Sequence, residues 1–339
     1  MSEDEFLQRA MNVPMEPLAW DLAKQKGVDI VVRRDDLIDE SLSGNKFYKL
    51  FYSLQQARKD GHRQLLSFGG AYSNHLYALA AAGRKFAFKT VGVIRGERPK
   101  YLSPTLQDAE RWGMQLHFVS RADYAQHTRQ NDVDSQALHE NLLKKYGDFY
   151  SLPEGGASCM GLLGASAIGW AIEQRYNTDF TGVCLACGTG NTLAGIAAVI
   201  GKSTESGPKK SPASEMVGVD LAASHAKVIG FSVLKGEGDL GNRIVTQQRQ
   251  LSVESSHWRL VSGYHGGGYA KKLPRTIQDF SIAFERETAL RLDPVYTLKM
   301  CWGVAQLLSL DYWPRGSRLI LIHTGGLQGR RGFKNYDLP

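Results

Sequence analysis

The chain has 339 residues, 42% of them hydrophobic and 22% charged, with a net charge of +7 and a pI near 9.1. It is too apolar for a disordered chain and long enough for one large core or two smaller ones, yet no window approaches the roughly 18 uninterrupted apolar residues that a membrane span requires. The basic residues are scattered, with short runs only at Lys209-Lys210, Lys271-Lys272 and Arg330-Arg331 and no interleaved aromatic stripe, so a nucleic-acid partner is not expected.

The opening stretch MSEDEFLQRA is acidic and reads as neither a signal nor a transit peptide, which makes a cytoplasmic protein the expectation. VVRRDDLIDE then leads to Ser43-Gly44-Asn45-Lys46. From about residue 62 strands and helices alternate. QLLSF is an apolar strand ending at Gly69-Gly70, and SNHLYALAAAGRKF is an Ala-rich helix with Ser73 near its cap. TVGVIRG is a β-branched strand, PTLQDAERWG a helix opening on proline, and QLHFVS the next strand.

The pattern resumes after Glu154-Gly155-Gly156. CMGLLGASAIGWAIEQ is a helix, VCLAC a buried strand, GTGN a glycine-rich turn and TLAGIAAVIG a helix. KSTESGPKKSPASE (202–215) is polar and reads as an exposed loop before the strand MVGVDLA. Near the end TLKMCWGVAQLLSL is a helix and RLILIHTGG a strand running into a glycine turn. Such alternation predicts an α/β fold with parallel sheets covered by helices. There are two such units, and the N-terminal segment joins the second if the chain starts there, crosses and returns.

Four cysteines, Cys159, Cys184, Cys187 and Cys301, are too sparse for a disulfide framework. Cys184 and Cys187 form a C-x-x-C, but no second Cys or His pair follows at ligand spacing. They read as small apolar residues ending a strand, and no metal is expected.

Four glycine-containing segments lie at element ends, where open α/β sheets place their sites. In Ser43-Gly44-Asn45-Lys46 a lysine amine of lowered pKa could form a Schiff base with a carbonyl. In Gly69-Gly70-Ala71-Tyr72-Ser73-Asn74-His75 the helix opening offers N–H groups to a carboxylate or phosphate. Gly188-Thr189-Gly190-Asn191-Thr192, between a strand and a helix, suits an anion. It matches neither a P-loop nor G-x-G-x-x-G, and a mononucleotide-sized phosphate suits it better than a dinucleotide. Last come Thr324-Gly325-Gly326 at a strand end and Asp293-Pro294-Val295-Tyr296-Thr297 ahead of a helix.

Taken in order, these segments resemble the 1-aminocyclopropane-1-carboxylate deaminase and D-cysteine desulfhydrase family of pyridoxal phosphate enzymes, with the tryptophan-synthase-β-like fold. The resemblance runs from about Val32 to Gly325-Gly326. It implies two open, twisted parallel-sheet domains, the smaller (53–157) inserted into the larger (1–52 and 158–339), with the cofactor between them. Lys46 resembles the Schiff-base lysine, with Asn45 beside it. Asn74 resembles the asparagine that contacts the cofactor ring, and Ser73, with the amides of Asn74 and His75, the site of the substrate carboxylate. Thr189, Gly190, Asn191 and Thr192 match the phosphate loop. Thr324 resembles the hydroxyl partner of the pyridine nitrogen, and Tyr296 and Tyr269 resemble the active-site tyrosines.

There are departures. Thr297 stands where the deaminases carry glutamate, as in the desulfhydrase branch, which counts against ring opening. Tyr48 stands where the GNK motif is usually followed by arginine, Tyr72 where glutamine is common, and Asn191 where glycine or serine is usual. The tail GLQGRRGF also differs. The resemblance implies a homodimer acting on a small amino acid, by α,β-elimination to pyruvate, ammonia and sulfide. Ring opening of the cyclopropane acid, a non-catalytic cofactor-binding protein and a nucleotide-dependent enzyme using the GTGN loop are the alternatives.

Overall fold

The computed structural model describes residues 1–127, 133–177, 179–200, 227–250, 257–269 and 272–333, with 252 and 255. The strand expected at MVGVDLA and the loop 202–215 lie outside the described residues, as do Lys209, Lys210 and Lys271. Among the described residues the strands are β1 (Met15–Pro17), β2 (Asp29–Arg33), β3 (Gln64–Gly69), β4 (Lys89–Arg95), β5 (Met114–Val119), β6 (Tyr150–Leu152), β7 (Gly182–Cys187), β8 (Val228–Ser232), β9 (Trp258–Val261) and β10 (Arg318–Ile322).

They form two sheets, ordered β1-β2-β10-β7-β8-β9 and β5-β4-β3-β6. The register of β10 on β2 runs Arg318 to Asp29 through Ile322 to Arg33. The chain therefore begins in the larger sheet, builds the smaller one between residues 64 and 152, and returns. Neighbours are parallel except β1 and β2. That antiparallel edge departs from the expected all-parallel sheets. Pro17 suits an edge strand, where its missing N–H costs no ladder bond.

Strands β3 and β7 are buried at every position, and β10 at all but its first, as parallel strands covered on both faces must be. One apolar cluster joins the two sheets. It is organised on the helices Asn45–Lys59 and Cys159–Tyr176 and includes Leu50, Leu65, Leu76, Leu162, Ile168 and Ile196. The two helices touch at Gly164, where an added Cβ would stand 1.9 Å from the Tyr48 carbonyl oxygen. A second cluster, with Trp20, Phe231, Phe284 and Leu298, covers the other face of the larger sheet. A third, with Leu66, Phe68, Val91 and Val93, covers the outer face of the smaller one.

The expected helices are present with small shifts. Ser73 caps Asn74–Phe86, and Thr297–Ser309 follows Asp293-Pro294. The helix expected over 192–201 covers only Asn191–Ala197. Among the described residues no helix is long and apolar enough to cross a membrane, and no group of three or more His, Cys, Asp or Glu side chains is placed to hold a metal.

Candidate active site

The C-terminal ends of β3, β7 and β10 open on one cavity of about 1000 Å3 between the sheets. Each strand hands over to a glycine-containing turn, so backbone as well as side chains can approach a ligand there.

Lys46 lies in the first turn of the helix Asn45–Lys59. That turn is fixed from below by Gly44. Its φ is +70°, and an added Cβ would stand 2.0 Å from the carbonyl oxygen of Thr324. The Asn45 amide N–H donates to that same oxygen at 3.2 Å. The side chain of Asn45 donates to Thr192 Oγ1 at 2.9 Å and accepts from Lys46 Nζ at 3.0 Å. One asparagine thus ties the lysine amine to the start of the helix Asn191–Ala197. Loss of hydration deep in the cleft lowers the Lys46 ammonium from 10.5 to about 8, and the carboxylate of Asp293 partly opposes that. Roughly a tenth of the amine is therefore neutral and nucleophilic at pH 7, as addition to a carbonyl requires.

Lys49, one turn on, is a site residue that the sequence reading missed. It is 3% exposed and donates to Gly155 O at 3.3 Å and Thr189 Oγ1 at 3.5 Å. Burial and the charge of Lys46 hold it well below the ordinary lysine value, so an anion bound beside it would be needed to favour its charged form. Gly188, Thr189, Gly190 and Thr192 line the cavity next to it. Asn191 does not. It is fully buried, and its side chain donates to Ser158 O at 3.0 Å, so only its backbone can serve the loop.

On the smaller sheet, Ser73 Oγ accepts from Leu76 N at 3.2 Å and caps the helix. Asn74 lines the cavity, and its Oδ1 accepts from Gln328 Nε2 at 2.6 Å. His75 is 2% exposed. Ser67 Oγ spends its proton on Leu152 O (2.9 Å), so the 2.9 Å contact from His75 assigns the ring proton to Nε2. Nδ1 is left bare, with no hydrogen-bond partner. Burial, Lys46 and Lys49 all push the imidazole well below its ordinary value, so it is neutral. Its side chain faces Ser67, which leaves the amide as its means of reaching a substrate.

Tyr296 and Tyr269 meet at 3.1 Å through their hydroxyls. Tyr296 is set by a buried turn. Asp293 accepts from the amides of Val295 (3.0 Å), Tyr296 (3.1 Å) and Thr297 (2.7 Å) and from Thr297 Oγ1 (2.9 Å). Thr297 is fully buried in this turn and does not line the cavity. Burial raises the Tyr296 phenol well above 10. Tyr269 is 57% exposed and stands at the open side, so Tyr296 is its anchor. Thr324, just past the end of β10, is 9% exposed and lines the cavity beside the turn that carries Lys46.

Tyr48 lies in a buried network behind the lysine. It donates to Asp35 Oδ1 at 2.5 Å and accepts from Arg33 Nη2 at 2.9 Å, while Arg33 Nε reaches Asp35 at 3.1 Å. The guanidinium here comes from β2 rather than from position 48. The tail forms a short 3-10 turn, Leu327–Gly332. Gln328 fixes Asn74, Arg330 pairs with Glu285 on the large-sheet side, and Arg331 pairs with Asp108 on the small-sheet side at 2.6 Å. Tyr72 lines the cavity and packs against Gly332.

The structure thus brings Lys46, Asn45, Ser73, Asn74, His75, Thr189, Gly190, Thr192, Tyr269, Tyr296 and Thr324 around one cavity. A nucleophilic amine faces hydroxyls, and a glycine turn with a buried lysine suits an oxyanion. This donor set fits a ligand that carries both a carbonyl and a phosphate.

The comparisons agree. The family described as "Pyridoxal-phosphate dependent enzyme" matches residues 12–325. A Thermotoga maritima protein provisionally named a 1-aminocyclopropane-1-carboxylate deaminase is 30% identical over 319 residues, covering 91% of this chain and 92% of its own. The mitochondrial bifunctional D-cysteine desulfhydrase/1-aminocyclopropane-1-carboxylate deaminase of Arabidopsis thaliana is 27% identical over 327 residues, covering 91% and 75%. The crystal structure of an ACC deaminase homologue shares the fold with a TM-score of 0.71 at 23% identity, covering 97% of this chain and 96% of the other.

Proposed function

The chain belongs to the family of pyridoxal-phosphate-dependent enzymes, and from that premise we propose that it is a lyase of the D-cysteine desulfhydrase type, releasing pyruvate, ammonia and sulfide from a small amino acid. One observation carries the reading: a part-buried lysine amine lowered to about 8, hydrogen-bonded to Asn45 and lining, with Ser73, Thr192, Tyr296 and Thr324, one cavity large enough for cofactor and substrate.

When bound, pyridoxal phosphate supplies the electron sink for the charge left at the substrate α-carbon. Lys46 would hold the cofactor covalently, and its amine would serve as a base within the same cleft. The backbone of Thr189, Gly190 and Asn191, the Thr192 hydroxyl and Lys49 hold the phosphate. Asn74 and Thr324 hold the ring, and Ser73 with the amides of Asn74 and His75 holds the substrate carboxylate. The hydroxyl pair of Tyr296 and Tyr269 moves a proton at the leaving group or the α-carbon. Thr324 would offer the ring a neutral hydroxyl rather than a carboxylate, which favours elimination over transamination.

Ring opening of 1-aminocyclopropane-1-carboxylate is the second reading, favoured by the names that relatives carry. Thr297 weighs against it, because it has no carboxylate and is enclosed by the Asp293 turn. In the preferred reading the cofactor lies between a large unit (1–52 and 158–339) and a small one (53–157), in a cytoplasmic homodimer with no nucleic-acid or membrane partner. Sizing by light scattering tests the dimer.

The reaction is tested by assaying pyruvate, 2-oxobutanoate, ammonia and sulfide release from D- and L-cysteine, β-chloroalanine and the cyclopropane acid. Pyruvate and sulfide from a cysteine enantiomer are expected. Release of 2-oxobutanoate from the cyclopropane acid alone would select the second reading. A cofactor-bearing protein inert toward the whole panel would overturn both in favour of a binding protein.

A further inference from the structure

The two tyrosines that meet in the cavity are held unequally. Tyr296 is set by the Asp293 turn at the head of the helix Thr297–Ser309, while Tyr269 is 57% exposed and follows a run of three glycines. Gly266, Gly267 and Gly268 all take left-handed φ values, +50°, +91° and +71°. Such a run has no side chains of its own to pack, and glycine loses the most conformational freedom on ordering. Tyr296 fixes the Tyr269 hydroxyl, so a hold on the Tyr269 backbone must come from elsewhere.

Lys299 supplies it. This lysine lies in the helix that Tyr296 opens, is fully buried and does not line the cavity. Its Nζ donates to the Gly268 carbonyl oxygen at 2.7 Å and to the Val233 carbonyl oxygen at 3.0 Å. The glycine run folds closely over the lysine stem, since an added Cβ on Gly266 would stand 3.5 Å from Lys299 Cε. Gly268 immediately precedes Tyr269. Val233, just past β8, precedes Leu234, which lines the cavity and would stand 3.3 Å from a Cβ added on Gly188.

Tyr296 and Lys299 are three residues apart at the start of one helix and so share a face. Tyr296 meets the Tyr269 hydroxyl at 3.1 Å, and Lys299 meets the carbonyl that leads into Tyr269. One helix thus grips both ends of one residue. An apolar side chain is the ordinary occupant of a fully buried helix position, and a lysine there is costly unless its donors are engaged. Here they are engaged by two main-chain carbonyls, each one residue away from a side chain of the cavity wall.

We infer that Lys299 is a positioning residue for the reaction: it holds Tyr269 against Tyr296 from behind the cavity wall, so that the paired hydroxyls stay in place for proton transfer. This rests on the β-elimination reading above, in which that pair moves a proton. Lys299 acts through Tyr269, since its own head is directed at backbone and stands outside the cavity. Removing that head frees the glycine run and weakens catalysis only as far as Tyr269 contributes to it.

The test pairs amide hydrogen exchange with turnover on the cofactor-loaded protein, in Lys299→Met and in Lys299→Gln, which keeps a donor. Exchange over residues 263–269 needs no substrate. It should quicken at least roughly tenfold in Lys299→Met, while exchange within the helix Thr297–Ser309 is unchanged. In pyruvate release from β-chloroalanine, Lys299→Met should lower kcat at least roughly tenfold with cofactor absorbance retained. In the Tyr269→Phe background the same change should cost roughly twofold or less, because the group it positions is already gone. Lys299→Gln should fall between wild type and Lys299→Met in both measurements. Unchanged exchange, an equal loss of kcat in both backgrounds, or loss of the cofactor from both lysine variants overturns the assignment. Quickened exchange confined to 263–269 in a protein that releases no pyruvate from any substrate would uphold the anchor and overturn the elimination reading instead.

Discussion

Replacing Lys46 by methionine should make the cofactor-free protein more stable at neutral pH. The lysine is held at about 8 against an ordinary 10.5. Each tenfold change in proton affinity is worth about 1.4 kcal/mol, so keeping Lys46 charged in the folded cleft costs at most about 3 kcal/mol. The sign follows from the order of the two values. Below pH 8 both states carry the proton and the folded state bears the whole cost. Between 8 and 10.5 the folded state sheds the proton first, the unfolded state binds more protons, and stability rises with pH. Methionine has similar reach and no charge. It forfeits the bond to Asn45 Oδ1, about 1 kcal/mol. The variant should therefore gain about 2 kcal/mol at pH 7. That gain should vanish by about pH 10, where the wild-type lysine is already neutral. Urea denaturation of both cofactor-stripped proteins at the two pH values measures it. A variant that is less stable at pH 7, or a gap that does not change with pH, refutes the reasoning.

Other outcomes follow from the same geometry. Tyr48→Phe removes a hydroxyl that bridges Asp35 and Arg33 in the core and should cost about 2 kcal/mol of stability, read from denaturant midpoints. A change below about 0.5 kcal/mol would deny the network its role. Gly44→Ala places a Cβ in a left-handed position against the Thr324 carbonyl. Cofactor occupancy, followed by absorbance, should drop sharply, and unchanged occupancy would show that the lysine helix does not depend on this contact. Tyr296→Phe should lower kcat roughly 100-fold while cofactor absorbance is retained. Because burial keeps the Tyr296 phenol well above 10, the wild-type kcat should show no loss from its ionisation below pH 10.

Much of the fold is legible in the sequence because its central strands are buried on both faces. QLLSF, VCLAC and RLILI are continuous apolar runs of strand length. The glycine turns that follow them mark the site for the same reason. Position within a turn is less legible. Asn191 sits in the Gly188–Thr192 turn, yet its side chain points at Ser158, since successive residues at a helix start face directions about 100° apart. Thr297 reads as a hydroxyl beside the site, but the Asp293 turn encloses it. Lys49 escapes notice because a lysine within a helix reads as solvated surface, and only the fold places Thr189 and Gly155 around it. The Arg33–Asp35–Tyr48 network joins a strand, a short turn and a helix, which no local pattern connects.

The central claim is that Lys46 carries the cofactor. Lys49, one turn away, is buried and likewise lowered by its surroundings, so the two must be told apart directly. Borohydride reduction of the purified protein, followed by peptide mass mapping, does this. The pyridoxyl group is predicted on Lys46, with none on Lys49. A tag on Lys49, or a protein that retains no pyridoxyl group after reduction, would contradict the account.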